Sequence, residues 1–173
     1  MKTKNLTDIA LMTAILCVLA PISLPLQPVP LSLATFVLYL MAYLLTPKQS
    51  LIAVGLYLLL GIVGLPVFSG YQGGISRLAA PGGGYLLGYL FLVGISGWFL
   101  ARYSTLLLQF LGMFLATLVM YGIGTVWLAY TTGISFRAAL PAGMFVFFPL
   151  DLVKLILALS IGRILRRHIK KAV

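Results

Sequence analysis

Long apolar runs, separated by short joints that hold the basic residues, dominate this sequence from end to end. Of its 173 residues, 62% are hydrophobic and 8% charged. A soluble domain carries about 45–50% apolar and about 25% charged residues. A water-soluble fold of this size has too little interior to hide so much apolar surface, whereas lipid accepts it. A spanning helix takes roughly 20 mostly apolar residues. The chain therefore reads as an all-α integral membrane protein, a bundle of six spanning helices forming one membrane domain over 1–173.

The helices are expected at about 6–20, 31–45, 48–65, 83–101, 104–131 and 144–165. The second is short for a span. Pro-rich PISLPLQPVP (21–30) separates the first two, Thr46-Pro47-Lys48 and Arg102-Tyr103-Ser104 are tight joints, and TTGISFRAALPAG (131–143) leads into the last helix. The N-terminal segment, basic and then apolar, has the outline of a signal peptide, but is read as the first spanning helix. The lone Cys17 lies in that apolar run and forms no disulfide within the chain.

The net charge of +10 suggests nucleic acid at first, but the charges follow topology rather than a stripe, so no nucleic-acid partner is expected. With both termini inside, the inner side holds Lys2, Lys4, Lys48, Arg102, Arg163, Arg166, Arg167, Lys170 and Lys171, while the outer loops hold Arg77 and Arg137. Cytoplasmic loops are enriched in Lys and Arg. The expectation is a multi-pass protein of the cell membrane with both termini cytoplasmic. Its five-charge tail acts as a topology anchor within reach of anionic headgroups.

Residues 64–84, GLPVFSGYQGGISRLAAPGGG, are rich in glycine. Irregular backbone of this kind cannot face lipid, because its N–H and C=O groups would lack partners. The segment is expected to cap the bundle on the outer side or to line a cavity. No internal repeat, direct or inverted, is evident in the sequence.

Asp151 and Lys154 stand out in the otherwise apolar FFPLDLVKLILALSIG. A charge at the centre of a spanning helix costs about 2.5–3.5 kcal/mol on insertion scales. A spacing of three puts both on one helical face, so both must point inward. A mutual salt bridge that offsets the cost is one reading, and a polar substrate site is the other. Arg77 is the lone charge of the Gly-rich loop, which also carries Gln72. If that loop covers the cavity, Arg77, Lys154 and Asp151 sum to +1, which suits a monoanion bearing hydrogen-bond donors. Tyr71, Tyr85, Tyr89, Trp127, Phe147 and Phe148 are expected in an interfacial belt or in helix packing, with one or two lining an apolar pocket, for which Tyr85, beside the triple glycine, is the preferred candidate.

Small residues four apart, Ala10/Ala14, Gly84/Gly88 and Gly112/Ala116, permit close helix approach, within the bundle or against a partner. There is no P-loop, no H-E-x-x-H and no Ser/His/Asp set placed in the membrane, and the one histidine, His168, is in the basic tail. Neither ATP hydrolysis by this chain nor other enzyme chemistry is expected, and no metal or cofactor is called for.

Three ordered motifs carry a resemblance that covers essentially the whole chain. They are VPLSLATFVLYLMA (29–42), GLYLLLGIVGLPVFSGYQGGISRLAAPGGGYLLGY (55–89) and FFPLDLVKLILA (147–158). Together they resemble the BioY family, the biotin-specific S components of energy-coupling factor transporters. Ser32, Ala34, Ala80, Gly82 and Leu150 depart from the family pattern, while Asp151, Lys154 and Tyr85 keep it. The resemblance implies a biotin cavity near the outer face, with Asp151, Lys154, Tyr85, Arg77 and Gln72 as substrate-binding candidates. It also implies that Ala10 and Ala14 dock on a transmembrane coupling subunit, with two ATPase subunits supplying energy. A self-sufficient proton-coupled transporter and a structural membrane subunit remain as alternatives.

Overall fold

A computed structural model describes residues 3–25 and 28–171, without the side chains of 167 and 169–171. Lys2, and the part of the Pro-rich connection at 26–27, therefore lie outside the described residues, as do the side chains of Arg167, Lys170 and Lys171. The chain runs α1 (Thr3–Leu19), β1 (Ser23–Leu24), β2 (Leu31–Ser32), α2 (Ala34–Leu44), α3 (Pro47–Val63), α4 (Ser76–Ala79), α5 (Gly83–Arg102), α6 (Leu106–Thr132), α7 (Phe136–Leu140), a π-helical turn (Pro141–Phe145) and α8 (Phe148–Lys171).

Local chemistry sets these boundaries. Thr46 and Gln49 form a reciprocal capping box around the start of α3, which satisfies orphan N–H groups there, and Pro47 at the first helical position pre-sets φ. Gly64 ends α3 at φ 114° and Gly133 ends α6 at φ 71°, a left-handed conformation that costs glycine little. Ser135 caps α7 through the Ala138 N–H at 3.3 Å.

The structure adds two features to the expected layout. The Pro-rich connection is not a plain loop: Ser23 pairs with Ser32, and Leu24 with Leu31, in a short antiparallel hairpin. This hairpin takes up the beginning of the expected second helix, leaving α2 only 11 residues. The approach to the last helix is also not one continuous rod. Phe136–Phe145 and Phe148–Arg166 meet at 41°, with the π-helical turn at the break; such turns disturb the i→i−4 ladder and bend the axis.

α5 and α6 are each long and apolar enough to cross a membrane, and the bent pair passes the same test as one span. The surface agrees with this. Large apolar side chains point outward along the helices, among them Val63 at 84% exposure, with Leu59, Phe91, Val126 and Ile156 also exposed. In water this would be an aggregation-prone face, whereas in lipid it is the ordinary one. Lipid removes the hydrophobic drive between helices and leaves close packing and hydrogen bonds to hold them. A Cβ on Gly84 would collide with Trp127, one on Gly88 with Met120, and one on Gly112 with Phe99. Glycine at these positions lets α5 and α6 approach.

Hydrogen bonds do the corresponding work on α2. Thr35, Tyr39 and Tyr43, four apart, all bond across the bundle. Thr35 Oγ1 donates to Asp151 Oδ1 at 2.7 Å, Tyr39 Oη and Thr117 Oγ1 lie 2.6 Å apart, and Tyr43 Oη donates to Gln109 Oε1 at 2.9 Å. This hydroxyl seam fixes α2 in register against α6 and α8.

Candidate functional site

The first turn of α8 carries Asp151 inward, 3% exposed. Its carboxylate is held from three elements. Thr35 of α2 and Lys154 of α8 donate to Oδ1 at 2.7 and 2.8 Å, and Tyr121 of α6 donates to Oδ2 at 2.7 Å. Lys154 completes the group. Its Nζ donates to Asp151, to Thr35 Oγ1 at 3.1 Å and to the Ser32 carbonyl at 2.7 Å on β2. The salt bridge that the spacing of three allowed is thus formed, inside a network that also ties the hairpin to α8.

This network forms part of the wall of a half-open chamber of about 40 Å³, whose other faces include Val29, Pro30, Tyr85, Tyr89, Met120 and Phe147. A second chamber of about 110 Å³ adjoins it and includes Phe68, Gln72, Arg77 and Pro81 in its lining. Val29, Pro30, Tyr85 and Tyr89 line both chambers. Tyr85 forms part of the wall between them. Its ring is accommodated where Gly124 lacks a Cβ, and its hydroxyl donates to the Gly143 carbonyl at 2.6 Å, within the π-helical turn. The bend before α8 and the aromatic wall are therefore coupled through one hydroxyl.

Of the residues singled out in the sequence, Asp151, Lys154 and Tyr85 converge on the first chamber, and Tyr85, Arg77 and Gln72 on the second. Arg77 does not join the Asp151–Lys154 pair; among the described residues that pair is the one ion pair. Tyr89 and Phe147 are buried cavity residues rather than belt residues, and Tyr71 is exposed. Trp127 donates to the Ala80 carbonyl at 3.1 Å, tying α6 to the Gly-rich segment. Ala10 and Ala14 lie apart from both chambers, exposed on α1. Thr35 and Tyr121, which hold the Asp151 carboxylate, were not singled out. The row Thr35, Tyr39, Tyr43, hydroxyl-bearing at spacing four in an apolar helix, marks one polar face of α2 but does not say what it meets, and it gives no signal for Tyr121.

Chemically, Lys154 has three N–H donors and all three are engaged. The Asp151 carboxylate, which accommodates about four hydrogen bonds, accepts three and keeps room for a further donor. Arg77 lines the second chamber and, among the described residues, has no carboxylate partner. The two chambers together thus offer an acceptor at one end, a cation at the other and an aromatic wall between.

A helical bundle with apolar faces turned outward, and with a buried ion pair lining a half-open cavity, defines a multi-pass membrane protein. The backbone as a whole matches a solved S-component for biotin from an ECF-type ABC transporter. The TM-score is 0.90 at 32% sequence identity, over 96% of this chain and 92% of that one. The BioY family model matches residues 1–171. A "Biotin transporter BioY2" of Lactococcus lactis subsp. cremoris is 38% identical over 96% of this chain and 92% of its own length. A "Biotin transporter BioY" of Thermotoga maritima is 36% identical over 95% and 96%. The chain belongs to the BioY family.

Proposed function

We propose that this chain is the membrane-embedded biotin-binding subunit of an energy-coupling factor transporter, working with a transmembrane coupling subunit and two ATPase subunits. The observation that carries the reading is the convergence of Asp151, Lys154 and Tyr85 on one chamber, in a chain whose backbone matches the solved biotin S-component over nearly its full length.

Biotin's chemistry fits the two chambers. Its ureido ring supplies N–H donors for the remaining capacity of Asp151. Its fused rings and alkyl chain pass Tyr85 and Tyr89. Its carboxylate is assigned to Arg77, because the donors of Lys154 are already taken by Ser32, Thr35 and Asp151. An Arg–carboxylate pair is the stronger and more directional choice, and Gln72 in the same chamber offers a further polar contact. Lys154 is thus a positioning residue that orients Asp151 and the hairpin.

The topology belongs to the same proposal. Six helices, α1, α2, α3, α5, α6 and α8, cross the cell membrane, with both termini cytoplasmic and the Gly-rich segment on the outer side. Nine basic residues against two follow the positive-inside rule. At a rise of about 1.5 Å per residue α2 is too short to cross alone; it crosses with its flanking hairpin and the Thr46 joint. Ala10 and Ala14, exposed on α1, form the flat surface that the coupling subunit meets.

The test is uptake of labelled biotin by cells that lack their own transporter. Uptake that needs the coupling and ATPase subunits, and survives collapse of the proton gradient, is the expected result. Full uptake by this chain alone, abolished by a protonophore, would instead identify a proton-coupled transporter.

A further inference from the structure

At the far end of the bundle from Asp151 lies a pocket of about 400 Å³ with no role in the biotin reading. It is formed where the end of α5, the α5–α6 joint, the start of α6 and the last turns of α8 meet. Its charged lining is Arg102, Arg163 and Arg166, beside Tyr103, Ser104 and Gln109. Three arginines on one concave surface repel one another unless an anion sits among them. No acidic side chain answers them: the sequence has two, Asp8 and Asp151, neither of which lines the pocket, and Asp151 is paired with Lys154. Gln109 is internally satisfied, donating to the Tyr103 carbonyl at 2.8 Å and accepting from Tyr43. The Arg166 guanidinium carbon lies over the Tyr43 ring, 5.8 Å from its centroid.

Two further observations say what the anion is attached to. A groove of about 250 Å³ adjoins the pocket, shares Leu100, Ala101 and Arg166 with it, and continues along Ala42, Leu44 and Leu45 to Thr46, Pro47 and Gln49 at one end. A cationic pocket opening into a largely apolar groove fits a charged head with an acyl chain, and exceeds what a free ion needs. The pocket also sits at headgroup level. Trp98, 55% exposed one turn before Arg102, packs on Phe99 and Tyr103, and exposed Trp and Tyr concentrate at the membrane–water interface. Basic pockets between spanning helices are suited to anionic lipid heads.

We propose that this pocket binds the phosphate of an anionic phospholipid, with Arg102, Arg163 and Arg166 around the head and one acyl chain in the Ala42–Leu45 groove. The site tethers the ends of α5 and α8 to the bilayer surface. The proposal rests on the membrane reading and is independent of biotin.

The test uses the full chain in a zwitterionic detergent, titrated with palmitoyl-oleoyl phosphatidylglycerol, with the phosphatidylcholine of the same chains and with inorganic phosphate, read by native mass spectrometry. One phosphatidylglycerol per chain, retained at least tenfold more tightly than phosphatidylcholine, is expected. Each arginine removed should weaken it about fivefold, so Arg102→Gln/Arg163→Gln loses most of the preference. Lys4→Gln/Arg137→Gln, with the same change of net charge away from the pocket, keeps it. If the double variant does not fold, the single variants Arg102→Gln and Arg163→Gln make the same comparison. Equal phosphatidylglycerol retention by pocket and control variants would overturn the site. Displacement of the lipid by inorganic phosphate at matched concentration would overturn the lipid assignment in favour of a free anion.

Discussion

Lys154 Nζ lies 2.8 Å from Asp151 Oδ1, one turn further along α8, and the two share Thr35 Oγ1 as a common hydrogen-bond partner. The pair is almost sequestered, with side-chain exposures of 13% and 4%. Breaking such a pair from one side leaves a charge without its counter-ion and costs about 3–5 kcal/mol. Lys154→Met and Asp151→Asn should each lower thermal stability by an amount in that range. The double variant Asp151→Asn/Lys154→Met should lose clearly less than their sum. Strict additivity in a double-mutant cycle, read from thermal unfolding in detergent, would show that the two charges are not coupled.

Among the described residues, Tyr121 is the sole donor to Asp151 Oδ2. A hydrogen bond to a charged group contributes about 1.5–3 kcal/mol, so Tyr121→Phe should weaken biotin binding and lower the unfolding midpoint together. At Thr35 the hydroxyl both donates to Asp151 and accepts from Lys154. Thr35→Val should therefore behave like Tyr121→Phe, and Thr35→Ser should restore most of the loss. A Thr35→Val variant with wild-type affinity, measured by calorimetry, would remove the hydroxyl from the account.

The division of the cavity into two chambers predicts a separation by ligand. Arg77→Gln should weaken biotin at least tenfold, as loss of a charge-assisted pair requires, but should leave biotin methyl ester nearly unchanged. Asp151→Asn should weaken both ligands, because the ureido ring is common to them. Equal losses of acid and ester in Arg77→Gln would place the carboxylate elsewhere.

Much of this arrangement is legible in the residues themselves. The apolar runs and their basic joints mark the long helices, and an ionised pair three residues apart in an apolar helix announces its own inward face. What escapes are features whose cause is tertiary. The Ser23–Ser32 pairing brings together residues either side of a proline-rich segment, and nothing local specifies which will meet. The π-helical turn at Pro141–Phe145 is met by the Tyr85 hydroxyl, which reaches the Gly143 carbonyl from α5, a contact between residues 58 apart. Thr35 and Tyr121 are ordinary residues in apolar helices until the Asp151 carboxylate is placed between them. In lipid, moreover, both faces of a helix are apolar, so hydrophobic periodicity cannot show which side a hydroxyl takes.

Ala10 and Ala14 are exposed on α1, away from both chambers. Ala10→Trp or Ala14→Trp should leave biotin affinity within twofold of wild type while abolishing uptake by the assembled transporter. A parallel fall in affinity, measured on the isolated chain, would mean that this face supports the fold rather than a partner.

The central claim is that the Asp151 network and the chamber it lines hold biotin. Isothermal titration of biotin into the purified, detergent-solubilised chain tests it most directly, with Asp151→Asn and Lys154→Ala measured beside the wild type. The account predicts tight one-to-one binding by the wild type and its loss in both variants. A well-folded wild type that takes up no biotin, or variants that bind it as the wild type does, would contradict it.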